Sequence, residues 1–224
     1  MIILGIVGTP AGGKSTAAEF IAGLGAEWIN ADLIARECLS RTEVIEALVS
    51  RFGSSVLATD GTIDRGKIAD LVFSNDHSNR DRLQFLESLV HPPTRLEINR
   101  RIVDAAQAGK RVALLDVPLL FESGWDRCCD EIWCVDALRE LRLARSQNRG
   151  WDAAELDRRE ASQMPIELKC RLSNHVMRND ATLEALHKNL RRRWDQLVRM
   201  ISGRKADSTA SLTPHCSSDR VSDS

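Results

Sequence analysis

Five short stretches have the length and apolar character of strands: Ile2–Val7, Glu27–Asn30, Val112–Asp116, Glu131–Asp136 and His175–Arg178. Between them the apolar positions switch to helical spacing. Ala17, Phe20, Ile21 and Leu24 recur at i, i+3, i+4 and i+7 and stop at Gly25. Ala31-Asp32 opens a short helix through Ile34 and Cys38, and Thr42–Phe52 presents Val44, Ile45, Leu48, Val49 and Phe52 on one side before Gly53. From Ile63 to Gly109 three helical patterns follow without a strand, and His91-Pro92-Pro93 separates the last two. A helix from Leu138, a second over Asp152–Gln163, a short one after Met164-Pro165 and a long one from Thr182 to about Met200 complete the periodic part. Strands alternating with helices predict an α/β fold with a parallel sheet. The expected division is a core over 1–58, 110–137 and 166–201, a helical insertion over 59–109 and a helical lid over 138–165. Residues 202–224 turn to Ser, Asp, Lys, Arg and Thr without periodicity and read as a disordered tail.

The first strand runs into Gly8-Thr9-Pro10-Ala11-Gly12-Gly13-Lys14-Ser15-Thr16, which fits G-x-x-x-x-G-K-[ST]. Strand, glycine loop and helix is the context in which that spacing binds a nucleoside triphosphate. The loop from Gly8 through Ala11, Gly12 and Gly13 can turn its N–H groups inward as an anion nest, and the helix N-terminus adds unsatisfied donors. Lys14 supplies charge for the β- and γ-phosphates, the Ser15 hydroxyl is placed to ligand Mg²⁺, and Thr16 can reach the α-phosphate. In a parallel sheet the ligand lies beyond the carboxyl ends of the strands. Asp32 therefore falls on the loop's rim, as a general base or as the N-cap of its helix, and position alone does not choose. Asp116 ends its strand where phosphate-loop enzymes place a Mg²⁺-associated carboxylate, and Glu122 follows it. Asn179 sits at the end of the fifth strand, in a plausible adenine-side loop. Arg139, Arg142, Arg145 and Arg149 form a basic stripe; a solvated face is the ordinary account, a lid over the transferring phosphate the other. Arg145 and Arg149 are the two candidates to reach that phosphate.

Composition narrows the partners. The 224 residues are 43% hydrophobic, enough for a substantial core. A net charge of −1 argues against a general nucleic-acid or membrane binder. No apolar run approaches the ~18 residues of a membrane span, and the first strand has no basic lead-in, so the expected location is cytoplasmic. The six cysteines show no Cys-x-x-Cys pair or zinc spacing and read as reduced thiols. No D-x-x-G or N-K-x-D occurs, which speaks against a GTP-dependent switch.

Several stretches in the right order resemble the dephospho-coenzyme A kinase family over about residues 2–200. They are the phosphate loop, Asn30-Ala31-Asp32-Leu33-Ile34-Ala35-Arg36, Asp60-Gly61 with Asp64-Arg65, Val90-His91-Pro92, Asp116-Val117-Pro118-Leu119-Leu120-Phe121-Glu122 and Ala161-Ser162-Gln163-Met164-Pro165. The resemblance implies a P-loop NTPase core with a five-stranded parallel sheet, a helical CoA-binding insertion and an arginine-bearing lid. It implies ATP and Mg²⁺ as cofactors and dephospho-CoA as the small-molecule partner of a monomer or weak homo-oligomer. It makes Asp32 the base toward the ribose 3′-hydroxyl, Arg149 the lid arginine, and Arg65 and His91 substrate-side residues. A nucleoside or nucleotide kinase is the alternative. Two positions depart from the family pattern: Asn30 replaces an Asp, and Arg178 precedes Asn179 where an Asp is usual.

Overall fold

The computed structural model describes residues 1–73 and 79–204. The expected tail falls, from residue 205 on, outside the described residues; the last helix continues to Arg204 rather than ending near Met200. The chain forms two compact units, one of Met1–Ile29 with the segment from Ala105 on, the other Asn30–Asp104.

The first unit is built on a parallel sheet of five strands: β1 (Ile2–Gly8), β2 (Glu27–Asn30), β3 (Val112–Asp116), β4 (Glu131–Asp136) and β5 (His175–Arg178), in the order β2-β3-β1-β4-β5. β1 is buried at all seven positions and β3 at all five, as strands covered on both faces must be. β1 lies in register with β3 from Ile2↔Val112 and with β4 from Leu4↔Glu131 to Gly8↔Val135. α1 (Lys14–Gly23) and α9 (Leu183–Arg204) cover one face, where Ile21, Leu190, Trp194 and Leu197 pack against Leu4, Ile6, Leu114 and Trp133. Close packing leaves no room at Gly8, where a β-carbon would stand 2.3 Å from the Val135 carbonyl oxygen. Cys38, Cys129, Cys134 and Cys170 are free thiols, as expected.

The second unit is helical: α2 (Ala31–Cys38), α3 (Thr42–Phe52), α4 (Arg65–Val72) and most of α5 (Asn79–Gln107). Its core is Val44, Leu48, Val56, Ile68 and Val72, with Phe52, Leu83, Phe85 and Leu86 packed around them. Because α3 and the turn at Val56 share that core with α4 and α5, the unit starts at Asn30 and not at the expected residue 59. The two helices expected on either side of His91-Pro92-Pro93 are one helix, α5. The prolines remove the N–H donors that would serve the Ser88 and Leu89 carbonyls. Burial on both sides of the interruption, at Val90, Thr94, Ile98 and Ile102, outweighs that local cost.

Candidate functional site

Beyond the carboxyl end of β1 the chain makes a tight nest. Ala11 stands at φ 57 and Gly13 at φ 103, both left-handed, and the Gly12 N–H donates to the Thr9 carbonyl at 3.0 Å. Ala11 bears the strain of that conformation with a side chain, which marks the loop's shape as imposed by its surroundings. α1 begins without a side-chain cap and without an acidic residue in its first turn, so its leading N–H groups stay available to an anion.

The loop is held from behind by a polar network. Thr9 Oγ1 donates to Asp136 Oδ1 at 3.1 Å, and the other Asp136 oxygen accepts from Arg178 Nη1. Arg178 Nε donates to Asp180, which accepts the Leu138 N–H at 2.6 Å. Asn179, itself buried, donates from Nδ2 to the Gly12 carbonyl at 2.9 Å. A β-carbon on Gly13 would stand 2.2 Å from that Asn179 nitrogen. One N–H of the Asn179 amide thus serves the loop's backbone. Arg178, the departure from the family pattern, clamps two carboxylates behind the loop.

In front, Lys14 Nζ pairs with Asp116 Oδ1, and Trp28 Nε1 donates to Asp116 Oδ2 at 3.3 Å. One cavity is lined by the loop from Gly8 to Ser15 together with Pro118, Arg149, Trp151, Arg159 and Gln163. Three arginines of the basic stripe lie on α6 (Arg139–Gln147) and Arg149 in the turn that follows it, before α7 (Ala153–Ala161) returns the chain. Arg139 pairs with Asp157 at 2.7 Å and Arg142 with Glu160, so these two fasten α6 to α7. Arg145 donates to the Asn179 carbonyl at 2.9 Å. Of the four arginines in the stripe, Arg149 is the one that lines the cavity. Arg159, on the returning helix, was not singled out in the sequence: its only signal is a position four residues before Gln163.

Two of the stretches that carry the family resemblance, Asp116–Glu122 and Ala161–Pro165, also meet. Glu122 Oε1 accepts the Met164 N–H at 2.6 Å. Lys169, on α8 (Ile166–Leu172), is 2% exposed; its ammonium donates to Gln163 Oε1 at 2.8 Å and lies 3.8 Å from Glu122. Burial pushes the Lys169 pKa down, against the pull of the Glu122 carboxylate.

The helical unit holds a separate cleft. Asp32, Arg65 and His91, far apart in sequence, line it together with Arg36 and an apolar floor that includes Leu39, Ile68, Val72, Phe73 and Leu86. The floor went unassigned in the sequence because its residues read as ordinary helix-core positions. The cap of α2 is Asn30, whose Oδ1 accepts the Leu33 N–H at 3.1 Å. Asp32, exposed on the first turn, makes no hydrogen bond among the described residues, so the capping account of Asp32 falls away. Asn caps as well as Asp, which accounts for the other departure from the family pattern.

Among the described residues no cluster of three or more His, Cys, Asp or Glu could hold a metal, and no helix is long and apolar enough to cross a membrane. The buried Asp116 carboxylate and the Ser15 hydroxyl are the hard oxygen donors at the loop. That sparse set suits Mg²⁺, which takes one or two protein ligands and fills its shell with phosphate oxygens and water.

The family model "Dephospho-CoA kinase" matches residues 2–185. A dephospho-CoA kinase of Rhodopirellula baltica is 40% identical over 186 residues, 83% of this chain and 86% of the relative. The solved structure of TT1252 from Thermus thermophilus is 32% identical, with a TM-score of 0.71 over 88% of this chain and 97% of that one. Dephospho-CoA kinase from Campylobacter jejuni, at 22% identity, shares the fold with a TM-score of 0.64 over 87% of this chain and 96% of that one. With the phosphate loop, the joined motif stretches and this agreement over most of its length, the chain belongs to the dephospho-CoA kinase family.

Proposed function

We propose a division of labour among these residues for the reaction of the family. The chain is an ATP-dependent kinase that phosphorylates the ribose 3′-hydroxyl of dephospho-CoA to give CoA and ADP, the last step of coenzyme A biosynthesis. The loop from Gly8 to Thr16 seats the triphosphate on backbone N–H groups, and Lys14 neutralises its β- and γ-oxygens. Mg²⁺ would be held by the Ser15 hydroxyl and, through its water shell, by Asp116, and would supply charge neutralisation for those phosphates. Arg149 meets the charge on the transferring group. Asn179 serves the ATP site by keeping the Gly12 carbonyl, and with it the loop, in place.

The acceptor lies in the cleft of the helical unit, with its apolar part on the floor from Leu39 to Leu86 and its phosphates toward Arg65 and His91. Asp32 orients the 3′-hydroxyl and takes its proton as the bond to phosphorus forms; positioning and charge supply most of the acceleration. The observation that carries these assignments is that Lys14, Ser15 and Arg149 line one cavity while Asp32, Arg65 and His91 line one cleft. The proposed location is the cytoplasm, and the proposed assembly a monomer or weak homo-oligomer.

An ADP-release assay across dephospho-CoA, nucleosides and nucleoside monophosphates tests the acceptor. Turnover confined to dephospho-CoA is expected, and preferential turnover of a nucleoside or nucleotide would replace this reading with the alternative. Asp32→Asn should lower kcat by about 10²-fold or more while ATP still binds; a variant that turns over normally would remove Asp32 from the role of base.

A further inference from the structure

Within the phosphate-loop cavity one indole accompanies two guanidinium groups. The Arg159 guanidinium carbon lies 4.1 Å from the Trp151 ring centroid and that of Arg149 5.6 Å from it. All three side chains line the cavity that also contains Lys14 and Ser15.

Each partner is fixed from its own side. The Trp151 N–H donates to the Ser146 carbonyl at 3.0 Å, as the Arg149 N–H does at 2.9 Å, and Gly150 makes the turn between them at φ 75. Ser146 is fully buried, so the turn is pinned to the end of α6. Arg159 comes from α7, whose cap Asp152 accepts the Glu155 N–H at 2.7 Å. Glu155 Oε1 in turn accepts from Arg159 Nε at 2.7 Å. That bond occupies one edge of the guanidinium and leaves both terminal nitrogens without a partner among the described residues. A carboxylate in place of the indole would hold two arginines by cancelling their charge and occupying their donors. An aromatic face attracts a guanidinium while leaving its charge and its N–H fork for another ligand. Lys14, Arg149 and Arg159 therefore bring three cations to one cavity; Lys14 is matched by Asp116 and Arg159 by Glu155 through its Nε edge, which leaves the fork of terminal nitrogens turned to a further ligand. The ligand that suits them is a polyphosphate, met bidentately by the guanidinium forks.

We propose that Arg159 is a second arginine contacting the phosphates of the transferring nucleotide, and that Trp151 is the residue that positions it together with Arg149. The assignment rests on the ATP site proposed above.

Steady-state kinetics with ATP and dephospho-CoA varied separately tests it. Arg159→Gln should lower kcat by about 10²-fold, the effect of losing one transition-state donor, with the KM for dephospho-CoA within about twofold of wild type. Trp151→Phe, which keeps a ring, should retain kcat within about threefold, whereas Trp151→Leu, which loses both cation–π contacts, should lose about tenfold. Arg159→Gln at wild-type kcat, or Trp151→Phe as impaired as Trp151→Leu, would overturn the proposal. Should Arg159→Gln unfold by circular dichroism, Arg159→Lys keeps the charge but not the fork. It should still lose kcat, and wild-type turnover would again overturn the assignment. Turnover by the wild-type enzyme reads the acceptor separately. Were dephospho-CoA not phosphorylated, the ATP affinity of Arg159→Gln, expected about tenfold weaker than wild type, would still decide the role of Arg159.

Discussion

At the scale of single residues, the decisive facts are which polar groups are already occupied. Asp32 and Asn30 illustrate this. Both can cap a helix, and spacing does not say which one does. The structure gives the cap to Asn30 and leaves the Asp32 carboxylate facing the cleft. Replacing Asn30 by Ala should destabilise the helical unit by about 1 kcal/mol, while Asn30→Asp should be close to neutral. Chemical denaturation of the two variants checks this, and equal losses would mean that Asn30 acts through something other than its cap. The basic stripe on α6 and the turn after it was resolved in the same way. Arg139, Arg142 and Arg145 are bound to Asp157, Glu160 and the Asn179 carbonyl, and Arg149 remains for the cavity. Spacing showed one sector of positive charge and could not show its partners, because those lie on α7 and beyond β5.

At the scale of elements, α5 is where local rules and packing part company. Two adjacent prolines end a helix by every local criterion, yet Val90, Thr94 and Ile98 are buried around them and the helix continues. The same helix carries an acid-sensitive cluster. Glu97 accepts from Arg100 at 2.7 Å and from Arg101 at 2.9 Å, and these bonds hold its carboxyl at about 2, below the usual 4.5. A carboxylate with a depressed folded pKa stabilises the fold above its unfolded pKa and loses that contribution as pH falls through the folded value. The helical unit should therefore weaken between about pH 4.5 and about pH 2. Glu97→Gln should flatten the acid dependence in that window when thermal midpoints are compared at about pH 6 and about pH 3. An unchanged profile would show that the pair with Arg100 and Arg101 contributes nothing to stability.

At the scale of the whole molecule, the two compact units divide the chemistry: the sheet unit has the phosphate-loop cavity and the helical unit the cleft with Asp32. A ligand that binds only the folded state stabilises it by mass action. ATP at 100 times its Kd should add about 2.7 kcal/mol, read as a rise in Tm. Gly13→Ala should abolish that rise, since Gly13 stands at φ 103 and a β-carbon there meets Asn179 at 2.2 Å. A variant that still gains stability from ATP would show that the loop tolerates the change.

The strands, most of the helices and the phosphate loop were legible in the chain because they depend on local properties. These are apolar runs of strand length, 3.6-residue periodicity, and glycines where the backbone needs positive φ or close approach. Asp32 and Asp116 could be singled out from where they stand relative to strand ends, whereas Arg65 and His91 were singled out only through the family resemblance. The tertiary structure alone decided the rest: the continuity of α5, the start of the helical unit at Asn30, the service of Asn179 to the loop, and the presence of Arg159 and Trp151 in the cavity. Each of these depends on which side chain satisfies which buried donor, acceptor or apolar surface across long stretches of sequence, and periodicity holds no record of that pairing.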